Sequence, residues 1–156
     1  MRDYIIMTDS CCDLSQQEVE ELELTVLPLS FTIEGKTLLN TPDHADMSPE
    51  EFFAKIAAGA DCTTAAVNVG QFTDAMEKVL QEGKDILCVC FSSALSTTYQ
   101  SACIAAEDLR EKYPEAKILV IDSLSASRGQ GMLLYRAVRE RREKNLTIDE
   151  LDAYVR

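Results

Sequence analysis

From Ile86 to Ala106 no residue carries a charge, a run long enough to cross a bilayer as a helix. Its centre, Ser92-Ser93-Ala94-Leu95-Ser96-Thr97-Thr98-Tyr99-Gln100-Ser101, is far too polar for hydrocarbon, so stable membrane insertion is not expected. The run instead divides into a buried strand over Ile86–Phe91, a hydroxyl-rich turn, and a helix over Ser96–Tyr113 ended by Pro114. A strand feeding a helix through a polar turn is the unit from which parallel sheets are built.

The rest of the chain repeats that alternation. Tyr4–Thr8 reads as a short apolar strand, followed by a cap at Asp13 or Ser15 and a helix over Gln16–Glu23. Val26–Ile33 reads as a second strand, with Pro28 near an edge or at its start, and Glu34-Gly35-Lys36 turns the chain. Ser48-Pro49-Glu50-Glu51 starts a helix that runs to Ala58, with Gly59 as its stop. Further helices are expected over Gly70–Gln81 and Arg128–Lys144, and a last one after Thr147, with a strand over Lys117–Ile121. The pattern predicts one α/β domain over residues 1–156, a mainly parallel sheet with helices on both faces.

Charge excludes some functions. Against 27 Asp and Glu stand 15 Lys and Arg, a net charge of −12. A nucleic-acid binder needs a basic face, and only Arg136–Arg142 is locally basic, so no nucleic-acid partner is expected. Six cysteines occur without any C-x-x-C pair, and His44 is the sole histidine, in a loop-like stretch. No metal site is expected from such spacing, and the thiols read as reduced and buried in a cytoplasmic protein.

Three strand-to-helix junctions are rich in hydroxyls: Thr8-Asp9-Ser10, Ser92–Thr98 and Asp122-Ser123-Leu124-Ser125. A further cluster, Thr63-Thr64 with Asn68, lies in the uncharged stretch 62–73. In open parallel sheets ligands sit outside the carboxyl ends of the strands, where such junctions gather. Hydroxyls and helix-end N–H groups suit a carboxylate or phosphate, though any one of them also serves as a helix cap. An enzyme alternative remains at this level, a hydrolase or acyl-transfer enzyme with Ser123 or Cys12 as nucleophile. Its base would have to be Lys84 or Lys117, since His44 has no evident partner. Asp9 and Asp122 read as turn caps rather than paired catalytic carboxylates.

Several ordered motifs resemble the amino-terminal domain of the DegV family, whose fold is related to dihydroxyacetone kinase and mannose-type phosphotransfer domains. Thr8-Asp9-Ser10-Cys11-Cys12-Asp13-Leu14 is similar to the family's TDSxxDL, and Ser92–Ala102 to its SSxLSGTYQSA. Leu27-Pro28-Leu29, Glu50-Glu51-Phe52-Phe53, Asp122-Ser123 and Ser127-Arg128-Gly129-Gln130-Gly131 complete the likeness. The resemblance implies a carrier, not an enzyme. It would bind a long-chain fatty acid as its ligand, need no cofactor, and present the carboxylate to a separate ATP-dependent fatty acid kinase subunit. It further implies that Thr64 and Ser96 hold the carboxylate, supported by Ser10, Asn68, Ser93, Thr97, Ser123 and Arg128.

Two departures stand out. The family's TSQPS loop is Thr64-Ala65-Ala66-Val67-Asn68 here, and Thr97 replaces the Gly of LSGT. The resemblance further implies a second domain that roofs an acyl tunnel, with residues 1–156 corresponding to the first.

Overall fold

The computed structural model describes residues 2–156. Four parallel strands form its centre: β1 (Tyr4–Asp9), β2 (Leu24–Leu27), β6 (Asp85–Cys90) and β7 (Ile118–Asp122), in the order β2-β1-β6-β7. Helices α1 (Gln16–Glu21), α5 (Arg128–Lys144) and α6 (Ile148–Val155) cover one face, and α3 (Val69–Gln81) and α4 (Thr98–Lys112) the other. The strand period of two sorts the core accordingly. Met7, Ile86, Cys88, Cys90 and Val120 pack with Phe72, Met76 and Ala105, while Ile6, Leu87, Val89 and Ile121 pack with Leu134, Ala137 and Leu151. The expected α/β architecture is what the chain forms. Among the described residues no helix is long and apolar enough to cross a membrane.

The expected single strand Val26–Ile33 is in fact two strands in two sheets. Pro28 has no N–H to continue a ladder, and the chain leaves the parallel sheet there. It then forms β3 (Ser30–Ile33), which pairs antiparallel with β4 (Lys36–Leu39) and β5 (Cys62–Ala65) in a separate small sheet. Glu34 and Gly35 make the β3–β4 turn with φ of 50° and 76°, the two left-handed residues that a tight two-residue hairpin demands. Between β4 and β5 lies α2 (Pro49–Ala57), capped by Ser48, whose hydroxyl accepts from the Glu51 N–H. Of the two expected caps, Ser15 is the one that caps α1. Two smaller differences concern helix ends: α1 stops at Glu21 rather than Glu23, and α4 begins at Thr98 rather than Ser96.

Close approach sets one glycine. A Cβ on Gly131 would lie 2.7 Å from the Cys12 carbonyl oxygen and 3.0 Å from Leu14 Cδ2, where α5 presses on the Ser10–Cys12 turn. Gly131→Ala should therefore destabilise the fold by about 1–3 kcal/mol, the range for overpacking. Urea denaturation measures it, and an unchanged midpoint would contradict the close packing.

Candidate functional site

The site is built where the two sheets meet. Ser10 leaves β1 buried, and its hydroxyl oxygen accepts from the Leu29 N–H at 3.0 Å and from Asn40 Nδ2 at 3.4 Å. That one side chain pins the parallel sheet to the start and end of the β3–β4 hairpin. Under α2 the pinned sheet encloses a cleft of about 270 Å³. Its walls are Leu29, Phe31, Leu39, Met47, Phe52 and Phe53, with Asp13, Asn40, His44 and Thr64 as polar members. Thr64 lies directly opposite Phe31 in the β3–β5 pair, so the two share a face. An apolar slot with a few convergent polar groups is the usual make-up of a small-molecule site.

The carboxyl edge of the parallel sheet carries the other hydroxyls. Asp122 accepts at Oδ1 from the N–H groups of Ser93 and Leu124, both at 3.1 Å, tying the loops after β6 and β7 together. Burial pushes the Asp122 carboxyl up, but the bonds from Ser93 and Leu124 outweigh it and hold the group below the ordinary value. Ser123 accepts from the Ser125 N–H and donates to the Ser125 carbonyl, both at 3.2 Å, so it is a turn residue. Ser96 Oγ accepts from the Thr98 N–H at 3.2 Å and shares a proton with Thr98 Oγ1 at 3.0 Å. With Thr98 as that donor, the Ser96 hydroxyl proton is free to point at a ligand. Thr97 is exposed at the cap of α4 and makes no side-chain cap bond.

Asp9 works inside this edge rather than on it. It is fully buried, and its carboxylate accepts from the Cys11 N–H at 3.0 Å and the Phe91 N–H at 2.7 Å. Burial pushes its pKa above the ordinary value, against the pull of those N–H groups.

Not every expected residue gathers here. Asn68 caps α3, its Oδ1 accepting from the Gln71 N–H at 3.0 Å. Arg128 lies in a different groove, between α1 and α5, with its Nη1 donating to both carboxylate oxygens of Glu18 at 2.7 and 2.9 Å. That bond and the Ser15 cap hold the Glu18 pKa down to about 2. Ser96 is not among the residues that wall the Thr64 cleft. The fold engages both nucleophile candidates. Cys12 is buried, its thiol pushed up to about 11 by that burial, and the Ser123 hydroxyl is bound within its own turn.

The sequence singled out neither Asn40 nor the aromatic wall, and it placed His44 only in a loop-like stretch. The two-residue Glu34-Gly35 turn, followed by the uncharged run Thr37-Leu38-Leu39, was the available signal for the hairpin.

Comparisons with known proteins agree with this architecture. A family model described as uncharacterised protein, DegV family, matches residues 4–155. A DegV domain-containing protein of Clostridium perfringens is 37% identical over 155 residues, covering 99% of this chain and 53% of that protein. One from Lactococcus lactis is 39% identical over 138 residues, covering 88% of this chain and 47% of the relative. Among solved structures, a stearic-acid-binding protein from Eubacterium ventriosum superposes with TM-score 0.86 at 27% identity, over 97% of this chain and 52% of its own. A DegV family protein from Thermus thermophilus, described for its fatty acid binding, gives 0.84 at 30% identity, over 99% and 52%. The fatty acid kinase B3 protein of Streptococcus pneumoniae, 21% identical over 98% and 53%, shares the fold with TM-score 0.77. The chain thus spans about half the length of these relatives.

Proposed function

The chain belongs to the DegV family, and from that premise we propose that it is the head-group domain of a cytoplasmic fatty-acid carrier. The observation that carries this is the apolar cleft with Thr64 on its wall. A saturated tail asks only for Leu, Met and Phe surface, while its carboxylate asks for a few uncharged donors. Thr64 and Ser96 are the donors assigned to it, with the Ser10 pin holding the small sheet in place. Solved relatives described as binding stearic acid or other fatty acids support the ligand class. The carrier presents the exposed carboxylate to a separate kinase subunit, and binding itself needs neither metal nor nucleotide.

The test is fatty-acid titration of the protein carrying this domain, in the presence of a chelator and without nucleotide. Thr64→Ala and Ser96→Ala should each weaken binding by about 1–3 kcal/mol, as the loss of a hydrogen bond to a charged group does. Unchanged affinity in both variants would remove the assigned head-group site.

A further inference from the structure

Helix α2 is held differently from every other helix of the chain. The other five each bury at least one residue, whereas α2 buries none. Phe53 is 66% exposed, and only Phe52 and Lys55 are half-buried. An aromatic contact and an ion pair tie the helix to the small sheet. The Phe52 ring meets Phe31 edge-on at 5.5 Å between centroids, and Lys55 Nζ lies 2.8 Å from Glu34 Oε2 on the β3–β4 turn. The first is the only aromatic contact between α2 and β3, and it stands over the cleft that holds Thr64.

Both ends of α2 join the rest of the chain through short turns. Before it, the chain is fixed at Asn40, whose N–H donates to the Leu29 carbonyl at 2.9 Å, and at Asp46, which accepts from the Leu39 N–H at 2.7 Å. His44, at φ 53°, turns the chain between those ties; past Asp46 only Met47 and Ser48 lead into the helix, and after it Gly59 turns the chain at φ 92° with open space where a Cβ would stand. Hinges are a few loop or element-end residues of this kind.

We infer that α2 is a swinging wall of the Thr64 cleft, which parts Phe52 from Phe31 to admit an acyl chain and is latched by Lys55 on Glu34. The inference rests on the proposed ligand class for what enters, and on α2's own attachments for the motion. An exposed ion pair is a weak latch. That suits a wall that must open often, because a strong one would trap the ligand.

Two measurements on the protein carrying this domain test it. In hydrogen exchange without ligand, the α2 amides should exchange faster than those of α3, and they should slow when cis-parinaric acid is bound. In stopped-flow with the same probe, Lys55→Gln should raise association and dissociation rates together, each about two- to five-fold, the span an exposed ion pair commands. Affinity should stay within about two-fold, and Lys55→Arg should restore the original rates. Exchange of α2 as slow as that of α3, or an association rate unmoved by Lys55→Gln, overturns the hinge. If the wild-type protein does not bind the probe at all, the fatty-acid reading falls, and exchange in the free protein alone then decides the hinge.

Discussion

Expressed alone, residues 1–156 should bind a fluorescent fatty acid about ten-thousand-fold more weakly than a DegV protein of its relatives' full length. The cleft of about 270 Å³ is smaller than most ligand sites, which run to roughly 300–1,000 Å³. Its surroundings are incomplete as well. Phe53 is 66% exposed beside the cleft, and Leu95 and Leu124 are 65% and 78% exposed on the loops after β6 and β7. A C16-like chain has roughly fifteen methylenes, each worth about 0.8 kcal/mol on burial. Leaving half of them in water forfeits about 6 kcal/mol, or four powers of ten in affinity. Two hydroxyl contacts to the carboxylate do not make up that deficit. Submicromolar, saturable binding to monodisperse 1–156 would show that the site is complete within this domain.

The second large effect falls on stability. Asp9→Ala should cost about 2–4 kcal/mol, because it strips two part-buried N–H groups, those of Phe91 and Cys11, of their acceptor. Removing the carboxylate also ends its own burial penalty, which keeps the figure from reaching the full worth of two such bonds. The pH dependence carries a sign. Burial raises the folded pKa of Asp9 above its ordinary value, so the folded state holds this proton more tightly than the unfolded chain does. The group's contribution to stability is therefore complete below the ordinary value and declines as pH rises through the raised one. The cost of Asp9→Ala should accordingly shrink as pH rises above the ordinary carboxylate range in paired denaturant titrations. A cost below 1 kcal/mol throughout, or one that grows with pH, would refute the account.

The parallel half of the domain was legible because its signals are local and periodic. Uninterrupted apolar runs at Ile86–Cys90 and Ile118–Ile121, and caps such as Thr147 with Glu150, say strand and helix without reference to the rest of the chain. The small sheet was not legible for the opposite reason. β5 has only Cys62-Thr63-Thr64-Ala65, mostly exposed, and its strand character comes from pairing with Phe31 and its neighbours some thirty positions earlier in the sequence. Of the candidate site, Thr64 and Ser10 were named, but not for their surroundings. That Ser10 acts as a pin depends on Leu29 and Asn40 arriving beside it, which no spacing in the sequence reveals. Arg128 was placed at the site by the resemblance alone, and its partner Glu18, on another helix and far away in sequence, is not visible from spacing.

The separation of the two sheets has a consequence for how such a protein changes over generations. The parallel sheet and its five covering helices contain nearly all of the buried core, while the cleft is walled by residues of the small sheet and a helix with nothing buried. Substitutions at exposed positions usually move stability by less than about 0.5 kcal/mol. Drift in Phe53 or Leu39 can thus reshape what the cleft accepts at little risk to folding, provided the Ser10 pin stays. Selection is free to tune ligand preference in one part of the molecule while the other part keeps the chain folded.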